Sequence, residues 1–184
     1  VPCGRGKTCM ALNIITLLQK KTLILVHKEF LMNQWIERIE EFVPAAKVGK
    51  IQAQICDVED KDIVLGMLQS LSMKDYPVEM FAEFGLTIVD EVHHIAAEVF
   101  VRSLFKIVSP HMLGLSATMQ RKDGLTKVFK MFLGDVIYKE KANLEHNVLV
   151  KAIEFHSNDE EFNEIVYDYR GNPQYSTMIS KLCN

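Results

Sequence analysis

The sequence contains no apolar run close to the roughly 18 residues that a membrane-spanning helix needs, and no signal peptide is visible. Its four cysteines form no CxxC pair and have no nearby histidine at zinc-ligand spacing, which argues against a zinc site and a disulfide framework. An excess of basic charge is also missing, because the formal net charge is -3. We therefore expect an intracellular protein without a membrane segment, in which any nucleic-acid binding comes from local loops.

What the chain does contain is typical of a globular protein. It has 184 residues, of which 48% are hydrophobic and 24% charged, enough for one α/β domain with a proper core. Several short runs are apolar throughout and do not alternate, as expected of strands that are covered on both faces of a parallel sheet. They are residues 22–26, 62–68, 85–90 and 111–117.

Between these runs lie helix-length segments in which apolar residues recur every three to four positions. Strand and helix therefore alternate, and this order predicts a doubly wound α/β sheet. Trp35 lies on the apolar face of one such helix, which favours a place in the core over a role as a base-stacking platform. A polar stretch at 139–147 is a plausible joint, followed by a predicted strand at 148–155, helix N-cap residues from Ser157, a turn at 170–174 and a second helix.

The first candidate site is the stretch VPCGRGKT at residues 1–8. Gly4 and Gly6 let the backbone turn its N–H groups towards phosphate oxygens, Lys7 can reach the β- and γ-phosphates, and Thr8 can offer its hydroxyl to Mg²⁺. Val1 stands where the usual pattern has its first glycine. The alternative is a glycine-rich turn ahead of a helix, without a ligand.

The second candidate is IVDEVHH at residues 88–94, an apolar strand that ends in two carboxylates. Asp90 at the carboxyl end of the strand would point into the crevice where α/β sheets bind ligands, and could hold a Mg²⁺ shared with Thr8. Glu91 would orient and deprotonate the attacking water. A solvated acidic pair at a strand end is the alternative, and the upstream Gly-Lys-Thr loop argues against it.

The third candidate is GLSATMQRKDG at residues 114–124, which follows another buried strand. Ser116 and Thr118 could donate hydrogen bonds to His93 and relay the state of the nucleotide to a polymer-binding surface.

Together PCGRGKT, DEVH and SAT resemble motifs I, II and III of superfamily 2 helicases and translocases, in the same order and at family-like distances. The sequence around these motifs is most similar to the XPB group of DNA helicases, including relatives in large DNA viruses. LILVHKEFLMNQWIERIEEF resembles motif Ia with its helix, and DIVLGMLQSLSMKDY resembles the strand and loop with which that group touches the DNA backbone. A DEAD-box RNA helicase fits less well, because motif II has His93 in place of its last aspartate.

The resemblance implies a RecA-like P-loop NTPase lobe that uses ATP and Mg²⁺. It implies that Asp90 and Thr8 bind the metal, that Glu91 is the catalytic base with Lys7 beside it, and that His93 couples hydrolysis to movement together with Ser116 and Thr118. The implied phosphate loop comprises Pro2, Cys3, Gly4, Arg5, Gly6, Lys7 and Thr8.

The resemblance also implies a DNA partner, contacted through its backbone and without sequence specificity. The residues implied for this contact are His27, Lys28, Gln69, Ser70 and Arg121. A solvated Lys28 is the open alternative. The XPB group carries Arg-Glu-Asp after motif III, whereas this chain has Arg121, Lys122 and Asp123, so a cation replaces a carboxylate. Asp123 could equally cap the helix that starts near Leu125.

The motifs imply that residues 1–141 form a first RecA-like lobe without its first strand, and that residues 142–184 form the joint and the start of a second lobe. The missing initiator Met and the early position of motif I indicate truncation. The family's arginine finger lies on the second lobe, which would be the partner of this one, so we expect the chain alone to be inactive. Two other functions stay open: the motor subunit of a restriction-type enzyme, and a nucleotide-gated binding module without turnover.

Overall fold

The computed structural model describes residues 6–92, 97–107, 109–117, 126–139, 151, 156 and 164–182. The chain divides into two compact units, Val1–Lys141 and Ala142–Asn184. No helix in the described part is long and apolar enough to cross a membrane. Reading the second unit as a joint and the start of another lobe stays a prediction.

The first unit is built on a six-stranded sheet with the strand order β3-β2-β4-β1-β5-β6. The strands are β1 (Thr22–Val26), β2 (Val48–Gln52), β3 (Ile55–Cys56), β4 (Ile63–Met67), β5 (Leu86–Val89) and β6 (His111–Gly114). All neighbours are parallel except β2 and β3. Because β1 lies between β4 and β5, the carboxyl ends of these three strands meet at one edge of the sheet.

Helices cover both faces of this sheet. Ile24 and Val26 of β1 share a core cluster with residues of the first two helices, whereas Leu23 and Leu25 share the opposite cluster with residues of the third to sixth helices. The helices are α1 (Lys7–Leu18), α2 (Glu29–Phe42), α3 (Leu68–Met73), α4 (Glu79–Ala82), α5 (Ala97–Leu104) and α6 (Thr126–Leu133). The predicted α/β class is therefore confirmed.

Burial explains why the apolar runs form strands. Every residue of β1 and of β5 is buried, so neither strand has a solvent face on which polar residues could alternate. The sequence analysis did not predict the antiparallel pair β2 and β3. In β2 only every second residue is buried, and its partner β3 is short and exposed, so this pair lacks the continuous apolar signal.

The described part of the second unit contains a turn and a helix, as expected from the sequence. Asp168 Oδ1 accepts hydrogen bonds from the backbone N–H groups of Arg170 and Asn172, both at 2.8 Å. These bonds hold the pKa of Asp168 below its usual value, and the bond from Asn172 has the largest effect. Helix α7 (Tyr175–Leu182) follows the turn. Most of the strand predicted at 148–155 lies outside the described residues.

Gly49 is a position where the fold requires glycine for space. A Cβ atom there would lie 2.1 Å from the carbonyl oxygen of Asp57 and 2.8 Å from Cγ of Lys61. We expect Gly49→Ala to lower the free energy of unfolding by about 1–3 kcal/mol, measured by urea denaturation, because the backbone must shift.

Gly114→Ala provides the control for this prediction. A Cβ atom at Gly114 would lie 2.7 Å from Cδ1 of Leu133, which is the far end of a flexible side chain. We expect a loss below about 1 kcal/mol, because the leucine can change its rotamer. Equal losses in the two variants would show that the backbone contact at Gly49 is not what restricts the position.

Candidate nucleotide site

Helix α1 begins directly at the Gly-Lys-Thr sequence. Gly6 precedes the helix with a φ of 75°, in the left-handed region that favours glycine. Its carbonyl oxygen accepts the first helical bond, from Met10 N–H at 2.9 Å. The first turn, which includes Lys7 and Thr8, contains no acidic side chain. The positive end of this helix is therefore suited to an anionic group such as a phosphate.

Asp90 lies one residue beyond the carboxyl end of β5 and is only 6% exposed. Its backbone N–H donates to the carbonyl oxygen of Leu25 at 2.9 Å, which extends the pairing of β5 with β1. Its side-chain Oδ2 accepts a 2.8 Å hydrogen bond from Nε1 of Trp35, and its Oδ1 accepts a 2.9 Å bond from the backbone N–H of Glu91. The carboxylate is thus held from two sides.

Opposing effects act on the pKa of the Asp90 carboxyl, and the net result is a raised pKa. Burial, the largest cause, raises the pKa of the Asp90 carboxyl above its ordinary value, and the nearby charge of Glu91 acts in the same direction. The hydrogen bonds from Trp35 and from Glu91 N–H lower that pKa, as does the positive charge of Lys7. A cation bound at this carboxylate would act against burial and favour the charged form.

Glu91 lies next to Lys7, the lysine of the predicted phosphate loop. Nζ of Lys7 is 2.8 Å from Oε1 of Glu91, and the two side chains are only 11% and 17% exposed. Glu91 has a φ of 49°, an uncommon left-handed backbone for a residue other than glycine. The chain therefore turns sharply after Asp90, and two consecutive carboxylates face different partners.

The segment after motif II is paired with the start of motif III. Val92 N–H donates to the carbonyl oxygen of Leu115 at 3.2 Å, and Leu115 N–H donates to that of Val89 at 2.9 Å. Ser116 follows directly and is half-buried. These bonds bring Ser116 to the same edge of the sheet as Asp90 and Glu91.

The donor set at this edge fits Mg²⁺. Carboxylate and hydroxyl oxygens are hard ligands of the kind that Mg²⁺ prefers, and they would come from Asp90 and Thr8. Within the described residues, no group of three or more His, Cys, Asp or Glu side chains is placed to hold a metal ion. Since Mg²⁺ is commonly held by one or two protein ligands together with substrate phosphates and water, a single buried carboxylate is sufficient.

The residues predicted to contact nucleic acid lie at the ends of two neighbouring strands. His27 follows β1, and Gln69 and Ser70 lie in α3 directly after β4, which pairs with β1. Nε2 of Gln69 donates a 2.8 Å hydrogen bond to the carbonyl oxygen of His27. Ser70 Oγ accepts a 2.9 Å bond from Ala53 N–H. The structure thus brings three of the five predicted residues together.

Lys28 is exposed beside these residues, with its Nζ 5.8 Å from the centre of the Phe30 ring. Both side chains lie on the surface, and Phe30 is 55% exposed. The predicted cation at this edge is therefore accessible to a ligand.

Several predicted site residues lie outside the described part of the chain. They are Pro2, Cys3, Gly4, Arg5, His93, Thr118 and Arg121. The roles given to them above, including the hydrogen bond between His93 and the SAT residues, stay predictions.

Sequence reasoning missed one residue of the site. Trp35 was expected in the core, and it is 2% exposed, but its hydrogen bond to Asp90 was not predicted. A signal was available, since a buried tryptophan usually needs an acceptor for its indole N–H. What the sequence could not show is which acceptor the fold would supply.

Comparisons with known proteins identify the family of this chain. Residues 1–121 match the family described as "Type III restriction enzyme, res subunit". A putative ATP-dependent RNA helicase of Acanthamoeba polyphaga mimivirus is 36% identical over 182 residues, which are 98% of this chain and 35% of that protein. The chain thus spans about a third of the length of this relative.

Solved structures show the same fold. The UvsW helicase from bacteriophage T4 aligns with a TM-score of 0.62 and 21% identity over 73% of this chain and 51% of that one. The Sulfolobus solfataricus SWI2/SNF2 ATPase core in complex with dsDNA aligns with a TM-score of 0.58 and 17% identity. This alignment covers 72% of this chain and 30% of that one. Since the family model covers well over half of the sequence, the chain belongs to this family, and its first unit has the RecA-like fold of these solved structures.

Proposed function

We propose that this chain is the ATP-binding lobe of a helicase or translocase that couples ATP hydrolysis to movement along DNA or to its unwinding. The observation that carries the proposal is the meeting of Lys7, Asp90 and Glu91 at one sheet edge, with Lys7 Nζ 2.8 Å from Glu91 Oε1. A cation from motif I and two carboxylates from motif II are what phosphate and Mg²⁺ binding requires.

The roles follow from the contacts. Lys7, released from Glu91 by an incoming nucleotide, binds the β- and γ-phosphates, while the N–H groups at the start of α1 donate hydrogen bonds to phosphate oxygens. Asp90 and Thr8 would hold Mg²⁺, and the bound ion would neutralise charge that develops on the phosphates. Glu91 orients the attacking water and takes its proton. Ser116, with His93 and Thr118, couples the nucleotide state to movement.

Hydrolysis in this proposal needs a second RecA-like lobe of the same parent protein, which supplies further cations to the γ-phosphate. We therefore expect the chain alone to bind Mg²⁺ and ATP but to hydrolyse ATP slowly. The proposed compartment is intracellular. Nucleic-acid-stimulated turnover by the chain alone, at the rate of a protein carrying both lobes, would contradict this division of labour.

DNA is the proposed polymer, reached through backbone contacts at His27, Lys28, Gln69 and Ser70. The likeness to the XPB group supports DNA, and the Sulfolobus structure is named as a complex with dsDNA. The mimivirus relative is instead named as an RNA helicase. Matched DNA and RNA duplexes of one sequence decide between them, and tighter binding to RNA would overturn the choice of DNA.

A second candidate is the motor of a restriction-type enzyme, favoured by the description of the matching family. A nuclease domain elsewhere in the parent protein would support it. A nucleotide-gated module without turnover is disfavoured, because Lys7, Asp90 and Glu91 are all present and adjacent.

Lys7→Ala and Glu91→Gln separate nucleotide binding from chemistry. We expect Lys7→Ala to weaken ATP binding by about 10- to 100-fold, since a hydrogen bond from a charged group contributes about 1.5–3 kcal/mol. Glu91→Gln should keep binding at least as tight, because Lys7 no longer pairs with a carboxylate, and lower kcat in the two-lobed protein by about 100-fold or more.

Lys21→Ala is the control for these variants. Lys21 also forms an ion pair, with Glu83 at 2.6 Å, but it precedes β1 and so lies at the opposite end of the strand. ATP binding and turnover should not change in this variant. Normal hydrolysis by Glu91→Gln would show that Glu91 is not the base.

Lys28→Ala tests the nucleic-acid edge. Loss of one phosphate contact should weaken DNA binding equally for unrelated sequences and reduce the slope of log K against log salt by about one. Lys127→Ala removes an exposed lysine of α6 and should leave both quantities unchanged. An unchanged slope in the Lys28 variant would remove Lys28 from the proposed contact surface.

A further inference from the structure

Trp35 and Asp90 form a hydrogen bond that lies almost entirely away from solvent. The indole Nε1 is 2.8 Å from Oδ2 of the carboxylate, and the two residues are 2% and 6% exposed. They are 55 positions apart in the chain, so only the packing of α2 on the sheet brings them together. A charge-assisted bond in such a dry place is stronger than the same bond in water.

The indole is fixed by its surroundings. Trp35 belongs to the core cluster on the α1 and α2 face of the sheet, together with Met32 and Ile39 from the same side of its helix and Ile24 and Ile88 from the strands below. All of these neighbours are 1% exposed or less. Since close-packed side chains in a core hold one rotamer, the N–H direction is set by the fold and not by the ligand.

The bond also limits how the Asp90 carboxylate can turn. Trp35 N–H occupies Oδ2, and Glu91 N–H occupies Oδ1 at 2.9 Å. Rotation of the carboxylate plane would break both hydrogen bonds, and each oxygen retains acceptor capacity for a further partner. The two donors thus orient a ligand before the metal arrives.

We propose that Trp35 is a positioning residue that orients Asp90 for Mg²⁺ through its indole N–H, and that this single tryptophan reports metal binding directly. The inference rests on the proposed function, in which Asp90 holds the metal. Trp35 touches neither nucleotide nor metal in this proposal and acts only through Asp90. Partners that orient metal ligands typically change metal affinity by about 10- to 100-fold when removed.

Trp35→Phe is the test variant, because it keeps an aromatic ring in the core and removes the N–H. We measure binding of N-methylanthraniloyl-ADP to the 184-residue chain, once in excess Mg²⁺ and once in EDTA. We expect the affinity in EDTA to be retained and the tightening caused by Mg²⁺ to fall by about 10- to 100-fold. A purely structural tryptophan would instead change both affinities by the same factor.

Ile39→Val is the matched control, since Ile39 is 1% exposed, lies on the same face of α2 and belongs to the same cluster. It loses a core methylene without touching Asp90. The tightening caused by Mg²⁺ should keep its wild-type value even where urea denaturation shows a lower stability. A loss of Mg²⁺ dependence in this variant as large as in Trp35→Phe would overturn the proposal, because core packing alone would then explain it.

A second readout avoids the nucleotide and any loss of folding. The chain contains one tryptophan, so ¹⁵N labelling gives a single indole N–H resonance. We expect this resonance to move when the wild-type chain is titrated with Mg²⁺ alone. In the Asp90→Ala variant, the resonance should not move when Mg²⁺ is added. A resonance that stays in place both with Mg²⁺ alone and with Mg²⁺ and ADP together overturns the role of Trp35, whereas a moving resonance together with failure of wild-type nucleotide binding overturns only the ATP-binding function.

Discussion

Asp90 carries a carboxylate that is 6% exposed, and a buried negative charge is stable only where donors or cations replace the lost water. The fold supplies two such donors, the indole N–H of Trp35 and the backbone N–H of Glu91. One comes from a helix packed on the sheet and the other from the turn after β5. Both elements must therefore be in place before the carboxylate can remain charged at this position.

The turn that provides one donor also determines where Glu91 points. With its left-handed backbone, Glu91 directs its side chain to Lys7 at the start of α1, so these two charges neutralise each other. An ion pair with both partners mostly buried costs desolvation, which only a second set of interactions offsets. In the proposed function, phosphates and Mg²⁺ would provide that set: the phosphates would replace Glu91 as the partner of Lys7, and Glu91 would become available for a water molecule.

The residues of the proposed nucleic-acid contact are connected to Asp90 through neighbouring strands. β1 lies between β4 and β5, so the segments that carry His27, Gln69 and Asp90 all emerge at one end of the sheet. Helix α2 starts next to Lys28 and carries Trp35 farther along. A displacement of α2 would therefore affect both an exposed cation and the donor to Asp90.

The strands and the motif residues could be predicted from the sequence for a physical reason. β1, β4 and β5 are buried on both faces, which produces apolar runs. Residues that follow directly after such runs are candidates for a site, because strand ends in parallel sheets form the binding crevice. The bond between Trp35 and Asp90 could not be predicted, since it depends on how α2 packs. The bond between Gln69 and His27 could not be predicted either, since it depends on which strands become neighbours. The pair β2 and β3 was missed because its residues carry no continuous apolar signal.

A crystal structure of the chain with ADP and Mg²⁺ tests the central arrangement most directly. We expect Lys7 Nζ to leave Glu91 for the phosphates and the metal to lie beside Asp90, while the distance from Trp35 Nε1 to Asp90 Oδ2 stays near its present 2.8 Å. A nucleotide complex in which Lys7 remains on Glu91, or in which Asp90 turns away from Trp35 to reach the metal, would contradict it.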